Sequence, residues 1–437
     1  MYIVGHLNKT TILNKKKTLT ITFFFLTIAC NCQSILIGYW QNWNDANAPY
    51  IQLNQVDPSY DIICVSFAVP TSPSDMNMLF TPDIVSQATL ISQIEELHNA
   101  GKKVLLSIGG ANTSISLNNI INRDAFITSM AAILNLYHFD GIDIDIEHGN
   151  SILASGTISS PTSIDCLNLI YAIIQIKTNY FADNSQTMML TMAPETAYVQ
   201  GGMSAYGGIW GGYLSIIDAL RNEIDYIHVQ LYNSGTVFGI DGNIYTQGTA
   251  DFIVAMSEAM IQGFNTAGGF FEGLPPNKVV IGLPACPSAA GGGFTSTATV
   301  TSAMNYLRGI GPQPGTYTLA QVAGYQNLGG MMTWSINWDN VNTCNVTSNQ
   351  YAQNFEQMFG SLSLHENSLT TPSIAPNPVQ DKIDVQGFNN ISFAIINANG
   401  QIIKEGKVFI GQIDISELQS GNYFLRIGTN ILKFIKQ

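Results

Sequence analysis

The chain has 437 residues and a formal net charge of −13; only 11% of its residues are charged, while 46% are hydrophobic. This length allows two or three domains, and the apolar fraction supplies a large buried core and excludes a disordered chain. The acidic balance argues against nucleic acid or an anionic membrane surface as the main partner.

The beginning of the chain is typical of an export signal. Three lysines at 15–17 form a basic segment, and the apolar run that follows at 19–29 is too short to span a bilayer. We therefore predict a signal peptide over residues 1–33, with a lipoprotein signal at Cys30 as the weaker alternative. No later run is long and apolar enough to predict a transmembrane helix or stable membrane insertion.

Eight short aliphatic runs with the composition of buried β-strands follow the export signal. They span 35–40, 60–69, 102–110, 139–147, 187–195, 224–233, 278–285 and 329–337. Segments with helical spacing of apolar residues lie between several of them, at 84–100, 125–137, 166–180 and 252–262. This alternation predicts an α/β fold, a (β/α)8 TIM barrel over residues 34–360. A doubly wound sheet is the alternative, but no glycine-rich phosphate-binding turn follows the first run.

The fourth run carries three acids, Asp143, Asp145 and Glu147, which alternate with isoleucines. Alternation places them on one face of a strand, starting roughly 6.6 Å apart. Like charges at this distance repel by about 2.5 kcal/mol at an effective dielectric near 20, so at least one acid should hold a proton near neutral pH. A metal site and a solvated sheet face are the alternatives, but the pattern favours catalysis. Asp140 has the opposite parity and is expected to be structural.

In a barrel of this kind the chemistry lies at the carboxyl ends of the strands. Several runs end there in polar, aromatic or glycine residues, namely Tyr39, Trp40, Gly109, Gly110, Glu147, Glu195, Tyr232, Asn233 and Trp334. Glu147 should therefore reach the mouth of the barrel, and Glu195 is either a substrate contact or a salt-bridge partner. Further aromatic residues, suited either to stacking on sugar faces or to packing, are Trp43, Trp210 and Trp338.

Four cysteines lie beyond the export signal, far apart and without metal-ligand spacing. Cys64 lies within an apolar run and is predicted to be a small buried hydrophobe. Cys286 and Cys344 each follow a predicted strand on the same side of the fold, so a disulfide between them is one possibility.

The composition changes after the predicted barrel. Residues 361–372 are polar and precede a proline-containing stretch, which predicts a linker. Short β patterns fill residues 373–437, and Asn399 followed by Gly400 is a strong signal for a two-residue hairpin turn. The tail is therefore predicted to be a small all-β sandwich domain.

Four motifs together resemble family 18 glycoside hydrolases. The stretch from Asp140 to Glu147 fills every fixed position of the D-G-x-D-x-D-x-E signature of that family. The S-x-G-G motif at 107–110, the tyrosine motif at 230–233 and the strand-eight tryptophan Trp334 agree in order and position. The stretches that look most like bacterial chitinases of the chitinase D type are 191–202, 282–293 and 330–339.

The resemblance implies a retaining hydrolysis of β-1,4 links between N-acetylglucosamine units in which the substrate's N-acetyl group is the nucleophile, an exception to the two-carboxylate scheme. Glu147 would be the general acid and base. Asp145 would hold the acetamido N–H and stabilise the oxazolinium intermediate, and Asp143 would share a proton with it. Tyr232 would hydrogen-bond the acetamido oxygen, and Trp334 would form the floor. Further substrate contacts are expected from Met192, Gln230, Asn233, Tyr39 and Gly110.

The resemblance implies no metal and no organic cofactor, and it leaves alternatives open. One is an endo-β-N-acetylglucosaminidase acting on N-glycans, another is transglycosylation alongside hydrolysis, and a third is a non-catalytic lectin, although such relatives typically lack the glutamate found here at Glu147.

The tail resembles the type A sorting domains of type IX secretion systems, at 375–383 and 418–427. This resemblance implies the type IX machinery as a partner and a secreted or surface-attached protein. A chitin-binding module is the alternative, but the tail contains no tryptophan.

Overall fold

A computed structural model describes residues 34–147, 151–341, 344, 346–360, 374–375, 377–385, 391–397, 400–408, 412–427 and 430–437. The predicted signal peptide and linker lie outside these residues. The chain divides between Phe359 and Gly360 into two units.

The first unit is built around a closed barrel of parallel strands. Its strands in chain order are β1 (Ile35–Gln41), β2 (Ile62–Ser72), β3 (Asp75–Leu79), β4 (Lys103–Gly109), β5 (Gly141–Asp145), β6 (Met189–Met192), β7 (Tyr226–Gln230), β8 (Thr236–Phe238), β9 (Ile244–Thr246), β10 (Phe264–Thr266), β11 (Gly269–Phe271), β12 (Val279–Pro284) and β13 (Gly330–Trp334). Eight of them close the barrel in the order β1, β2, β4, β5, β6, β7, β12, β13 and back to β1. The predicted (β/α)8 barrel is confirmed, and each aliphatic run supplies one barrel strand.

Helices lie between the barrel strands and after the last of them. They are α1 (Gln87–Asn99), α2 (Ile120–Tyr137), α3 (Ile164–Asn184), α4 (Leu214–Ala219), α5 (Ala250–Gln262), α6 (Thr297–Leu307), α7 (Ile336–Asn340) and α8 (Gln350–Phe359). Side-chain caps start several of them; for example, the hydroxyl of Ser86 accepts the backbone N–H of Thr89 at the start of α1. The four helices predicted from apolar spacing are found as α1, α2, α3 and α5. None of the helices in the described part of the chain is long and apolar enough to cross a membrane.

Successive side chains of β5 alternate between the outer core and the interior of the barrel. Ile142 and Ile144 are fully buried in the outer core against the helices, whereas Asp143 and Asp145 point into the barrel. The predicted segregation of aliphatic and acidic side chains is therefore confirmed.

Asp140 lies just before β5, at the opposite end of the barrel from the mouth. Its carboxylate accepts from Lys103 Nζ at 2.6 Å and from the backbone N–H of Val104 at 2.8 Å, and it lies 2.8 Å from His98 Nε2. Burial raises the pKa of Asp140, but these partners outweigh burial and hold the pKa below its ordinary value. The expected structural role is confirmed.

A disulfide joins Cys286, which follows β12, to Cys344, which follows α7. Both cysteines pack with Trp338 and Ala48 in a small buried cluster. The disulfide that the sequence left as one possibility is therefore present. Cys64 is free and fully buried, as predicted.

We expect removal of this disulfide, in the double variant Cys286→Ala with Cys344→Ala, to lower the free energy of unfolding. The bond closes a loop spanning 58 residues, and a cross-link over such a loop stabilises by about 4 kcal/mol in the chain-entropy model, with measured values commonly about 2–4 kcal/mol. Urea unfolding at 25 °C measures the difference. Dithiothreitol should lower the midpoint of the wild type and leave the double variant unchanged; equal midpoints for both proteins without reductant would contradict this expectation.

The second unit contains β14 (Ile374–Ala375), β15 (Lys382–Val385), β16 (Ile391–Asn397), β17 (Ile402–Val408), β18 (Gln412–Asp414), β19 (Gly421–Ile427) and β20 (Asn430–Lys436). These strands form one antiparallel sheet in the order β14-β15-β18 and another in the order β17-β16-β19-β20. Ile383 and Ile413 of one sheet pack with Leu425 and Phe434 of the other. The predicted all-β sandwich is confirmed. Asn399 of the predicted turn lies outside the described residues, but β16 and β17 pair as a hairpin requires.

Candidate active site

A cavity of about 170 Å³ lies at the carboxyl ends of the barrel strands. Its lining residues are Trp43, Phe67, Ala111, Asn112, Asp145, Glu147, Gln230, Tyr232, Asn233, Ala289 and Trp334. Two larger cavities, of about 490 Å³ and 880 Å³, lie at the other end of the strands, the first beside Lys103 and Asp140 and the second beside Asn277. Neither contains the three acids. The smaller cavity is therefore the candidate active site.

Asp143 points into the barrel and is fully buried below the cavity. Its Oδ2 accepts from the hydroxyls of Tyr39 at 2.6 Å and Ser107 at 2.7 Å, and its Oδ1 accepts from the hydroxyl of Thr191 at 2.6 Å. His228 Nε2 lies 3.3 Å from Oδ1. Burial raises the pKa of Asp143, but these partners, His228 first, outweigh burial and lower it. Three hydroxyl donors and the neighbouring imidazole, from four strands, thus surround an ionised carboxylate.

Asp145 lies between the other two acids and is only 3% exposed. Burial and the negative charges of Glu147 and Asp143 raise its pKa well above the ordinary value, and a hydrogen bond with Glu147 acts in the same direction. This direction agrees with the expectation that one acid of the three holds a proton near neutral pH, which stays a prediction. The expectation that Asp143 shares a proton with Asp145 stays a prediction; three hydroxyl donors occupy Asp143, whereas Asp145 is hydrogen-bonded to Glu147.

Gln230, at the end of β7, holds together Asp145 and Glu147, the two acids that line the cavity. Its Nε2 donates to Asp145 Oδ1 at 2.9 Å, to Glu147 Oε1 at 2.8 Å and to the carbonyl of Ala193 at 3.0 Å. Tyr213 holds the backbone between the same acids, since its hydroxyl accepts from the N–H of Ile146 at 3.0 Å and donates to the carbonyl of Ile146 at 2.9 Å. The positions of both acids are therefore determined by side chains from other parts of the chain.

Aromatic side chains form one wall of the cavity. Phe67 stacks on Trp334 with ring centroids 5.9 Å apart and planes at 14°, and Trp43 stacks on Phe67 at 6.1 Å and 28°. Gly110 allows Phe67 to approach, because a Cβ atom at this position would lie 2.7 Å from the phenyl ring, and its φ of +77° favours glycine. The Gly110 N–H also donates to the carbonyl of Asp145 at 2.7 Å. The S-x-G-G motif thus supports the aromatic wall and the acid strand together.

Tyr232 and Asn233 also line the cavity. Burial, followed by the charges of Asp145 and Glu147, raises the pKa of Tyr232 well above its ordinary value. The Tyr232 hydroxyl therefore keeps its proton and acts as a donor. Asn233 Oδ1 accepts the N–H of Gly292 at 3.1 Å, which ties the strand end to the loop after β12.

Among the described residues, Cys64, Asp143 and His228 are close enough together to be considered as metal ligands, with ligand atoms within 4.8 Å of one another. Oδ2 of Asp143 already accepts from two hydroxyls and Oδ1 from a third, so this carboxylate fits a hydrogen-bond centre better than a metal site. The expectation that the reaction needs no metal and no organic cofactor stays a prediction.

Residues 35–306 match the family described as Glycosyl hydrolases family 18. The chain belongs to this family. Chitinase Chi52 of Paenibacillus xylanexedens and chitinase D of Niallia circulans are each 45% identical to it over 75% of the chain, which spans 62% of the length of each relative. The crystal structure of a family GH18 chitinase from Chromobacterium violaceum is 36% identical with a TM-score of 0.67, and the match covers 75% of the chain and 83% of that structure.

The tail of this family 18 chain has a match of its own. Residues 373–437 correspond to the family described as Secretion system C-terminal sorting domain. The sandwich is therefore a sorting unit, and it indicates an exported protein located outside the cell or at the cell surface.

The structure brings six of the ten predicted site residues of this family 18 protein to the cavity, namely Glu147, Asp145, Tyr232, Trp334, Gln230 and Asn233. Asp143 and Tyr39 lie beneath it, and Tyr39 contacts Asp143 rather than an open surface. Gly110 lies behind Phe67. Tyr39 and Gly110 were expected to contact the substrate. In the structure Tyr39 instead supports Asp143, and Gly110 supports the aromatic wall.

The prediction that Met192 lines the sugar site is wrong. Thr191 points into the barrel and hydrogen-bonds Asp143, so the next residue on β6 must point outwards. Met192 is fully buried in the outer core. Trp338 is likewise buried beside the disulfide rather than in the cavity. Glu195 pairs through its backbone with Gln230, and its role stays a prediction.

Sequence reasoning missed four residues of this family 18 site, namely Phe67, Thr191, Tyr213 and His228. Thr191 and His228 carried a signal, because each is a polar residue inside an apolar strand run. Phe67 is an aromatic residue near the end of the second run. Tyr213 carried no signal, since it lies in a loop far from the acids in sequence.

Proposed function

We propose that this protein is a secreted chitinase that hydrolyses β-1,4 links between N-acetylglucosamine units with retention of configuration, using the substrate's acetamido oxygen as the nucleophile. The observation that carries the proposal is the pair of acids Asp145 and Glu147, which Gln230 Nε2 holds together above the fully buried Asp143.

The placement of Asp145 argues against the ordinary retaining scheme. That scheme needs two carboxyl groups about 5–5.5 Å apart on either side of the scissile bond, one of them a nucleophile with access to the anomeric carbon. Asp145 is 3% exposed and shares Gln230 Nε2 with Glu147. The two carboxyl groups therefore lie on the same side of the cavity, which favours a nucleophile supplied by the substrate.

The reaction then proceeds in two steps. Glu147 donates its proton to the glycosidic oxygen while the acetamido carbonyl oxygen bonds to the anomeric carbon, so the bond to the leaving sugar breaks and an oxazolinium ion forms. Water then attacks the anomeric carbon, Glu147 takes its proton, and the carbon–oxygen bond of the oxazolinium ring opens. Each step uses Glu147 once, first as acid and then as base.

Asp145 and Tyr232 stabilise the intermediate. Transfer of the proton from Asp145 to Glu147 leaves a carboxylate that accepts the acetamido N–H and offsets the positive charge of the oxazolinium ion. The negative charge of Asp143 helps to raise the pKa of Asp145 and so opposes this transfer in the free enzyme, whereas the positive charge of the oxazolinium ion offsets that repulsion. Tyr232 donates to the acetamido oxygen, and Trp334 forms the floor of the sugar site.

Chitin is the favoured polymer because both 45%-identical relatives are named chitinases. The aromatic wall of Trp43, Phe67 and Trp334 is suited to sugar faces. An endo-β-N-acetylglucosaminidase acting on N-glycans has the same acid arrangement, and Glu147 makes a non-catalytic lectin the weakest alternative. In transglycosylation, a hydroxyl group of another sugar competes with water for the same oxazolinium ion.

Product analysis on two substrates tests the proposal. The full-length protein is incubated with N-acetylglucosamine oligomers and, separately, with a high-mannose glycopeptide, and the early products are resolved by mass and by anomeric configuration. We expect β-anomeric products from the oligomers and no cleavage of the glycopeptide. Cleavage of the glycopeptide alone would favour the N-glycan enzyme, binding of oligomers without cleavage would favour the lectin, and products longer than the starting oligomer would report transglycosylation.

The alkaline side of the pH profile should depend on Asp143. Its negative charge helps to raise the pKa of Asp145, so Asp143→Asn should lower that pKa and let the upper pair lose its proton at lower pH. The alkaline limb of kcat/KM for the residual activity should therefore move towards acid. Ser107→Ala removes a neutral donor but keeps the charge, and its alkaline limb should move less. A limb that moves to higher pH in Asp143→Asn would contradict the assigned coupling.

We propose the type IX secretion machinery as the partner of the sorting unit. Deletion of residues 373–437 should retain the enzyme inside the producing cell, as measured by activity in the medium and in lysates; unchanged secretion would count against this role.

A further inference from the structure

One aromatic residue at the mouth has no role in the site described above. Of the five tryptophans of the chain, Trp43 and Trp334 line the cavity, and Trp40 and Trp338 are buried. Trp210 is 44% exposed and lies outside the cavity lining. We propose that Trp210 is a separate binding platform for a neutral N-acetylglucosamine polymer, outside the catalytic cavity. This inference deepens the proposed function and rests on it.

The backbone around Trp210 is built to hold the indole in place. Gly207 and Trp210 form an antiparallel bridge, with the Gly207 N–H donating to the Trp210 carbonyl at 3.2 Å. Gly208 and Gly211 on either side have φ of +59° and +80°, conformations that favour glycine. The six-membered ring lies against Gly201, where a Cβ atom would come within 2.7 Å of Trp210 Cε3. A close-fitting glycine surface therefore supports a ring that is nearly half exposed.

The segment that carries Trp210, residues 195–213, is attached to the catalytic residues at both ends. Its first residue, Glu195, pairs through its backbone with Gln230, which donates to Glu147. Tyr213, three residues after Trp210, binds the backbone of Ile146. Three residues of chain span at most roughly 11 Å. Because this segment follows the carboxyl end of β6, Trp210 lies on the mouth side, within reach of a polymer that extends out of the cavity.

The chemistry of the segment matches an uncharged chain of sugars. Residues 196–217 contain no Lys, Arg, Asp or Glu, so the platform offers an aromatic ring and glycine backbone without fixed charge. The C–H face of a pyranose packs on such a ring, while its hydroxyl and acetamido groups stay in water. An exposed tryptophan on a well-supported surface is also the residue type that contributes most to binding. A charged polysaccharide would gain no counter-charge here.

Adsorption to insoluble chitin tests the platform without any turnover. Trp210→Ala, Trp210→Phe and Phe181→Ala are each made in the full-length Glu147→Gln protein, and binding isotherms on washed chitin are measured at several protein concentrations. Phe181 is the matched control, because it is 60% exposed on α3 without support from a glycine surface. We expect Trp210→Ala to weaken adsorption about tenfold and Trp210→Phe to retain most of it. Phe181→Ala should leave adsorption within about twofold of the parent protein.

Turnover supplies the second measurement. In proteins with Glu147 intact, the ratio of activity on insoluble chitin to activity on the soluble trimer should fall about tenfold in Trp210→Ala. A general folding defect would lower both activities and leave the ratio unchanged, and this result would overturn the platform. Equal adsorption of Trp210→Ala and its parent, or equal losses in Trp210→Ala and Phe181→Ala, would also overturn it. Absence of oligomer hydrolysis by the wild type would instead reject the proposed function, since adsorption is measured independently.

Discussion

Glu147→Gln should lower kcat on N-acetylglucosamine oligomers by about 10³-fold or more and change KM little. Removal of a positioned general acid commonly costs about 10²–10⁴-fold, and here the same group also serves as the base in the second step. Glutamine keeps the shape and still accepts from Gln230 Nε2, which lies 2.8 Å from Glu147 Oε1. The loss should therefore appear in the chemical step rather than in binding or folding. Initial rates on the tetramer, with binding measured by calorimetry, separate these terms.

Glu96→Gln is the matched control for this change. Glu96 lies on α1, and its carboxylate accepts only an exposed contact from Asn54 among the hydrogen bonds found in the described chain. The same chemical substitution there should leave kcat within about twofold of wild type. Full activity of Glu147→Gln would show that another group protonates the leaving oxygen, and the mechanism would have to be abandoned.

Asp145→Asn should lower kcat by about 10²–10³-fold, the range found when a preorganised group that stabilises developing charge is removed. The amide cannot become the carboxylate that offsets the oxazolinium ion, and it cannot hand a proton to Glu147 in the same way. Gln230 Nε2 now donates to Asp145 Oδ1 at 2.9 Å, and an asparagine oxygen preserves that contact. Loss of kcat with a nearly unchanged melting temperature is therefore the expected pattern.

Asp140→Asn is the control within the same motif. Asp140 lies at the other end of the barrel and holds Lys103 and His98, so its replacement should lower the melting temperature and leave kcat on soluble oligomers near the wild-type value.

A substrate whose sugars carry free amines instead of acetamido groups supplies the decisive comparison. Rapid cleavage of that substrate by the wild type would make Asp145 itself the nucleophile and would contradict the substrate-assisted scheme.

The periodic features of the chain could be predicted because they depend on local geometry. Strand alternation places Asp143, Asp145 and Glu147 on one face wherever the strand lies, and the repeated strand–helix pattern requires covering helices and a mouth at the carboxyl ends of the strands. The same reasoning identified the sandwich from its short β runs and placed Asp140 on the other parity.

Met192 shows where this reasoning fails. Residues 188–192 read Met-Met-Leu-Thr-Met, so apolar side chains occur at both parities, and only the inward hydroxyl of Thr191 reveals which face is which. A strand with one apolar face and one polar face determines its own orientation, whereas a strand that is apolar on both faces takes its orientation from its neighbours.

The amino-acid sequence by itself determined the barrel, the acid face and the acid that reaches the mouth, because periodicity and motif order are properties of the chain alone. Only the tertiary structure decided how the surroundings of these acids differ. Tyr39, Ser107, Thr191 and His228 come from four separate strands to surround Asp143; the pKa of Asp143 is lowered there, while that of Asp145 is raised. A pKa depends on burial and on charges brought together by folding, which no stretch of sequence contains.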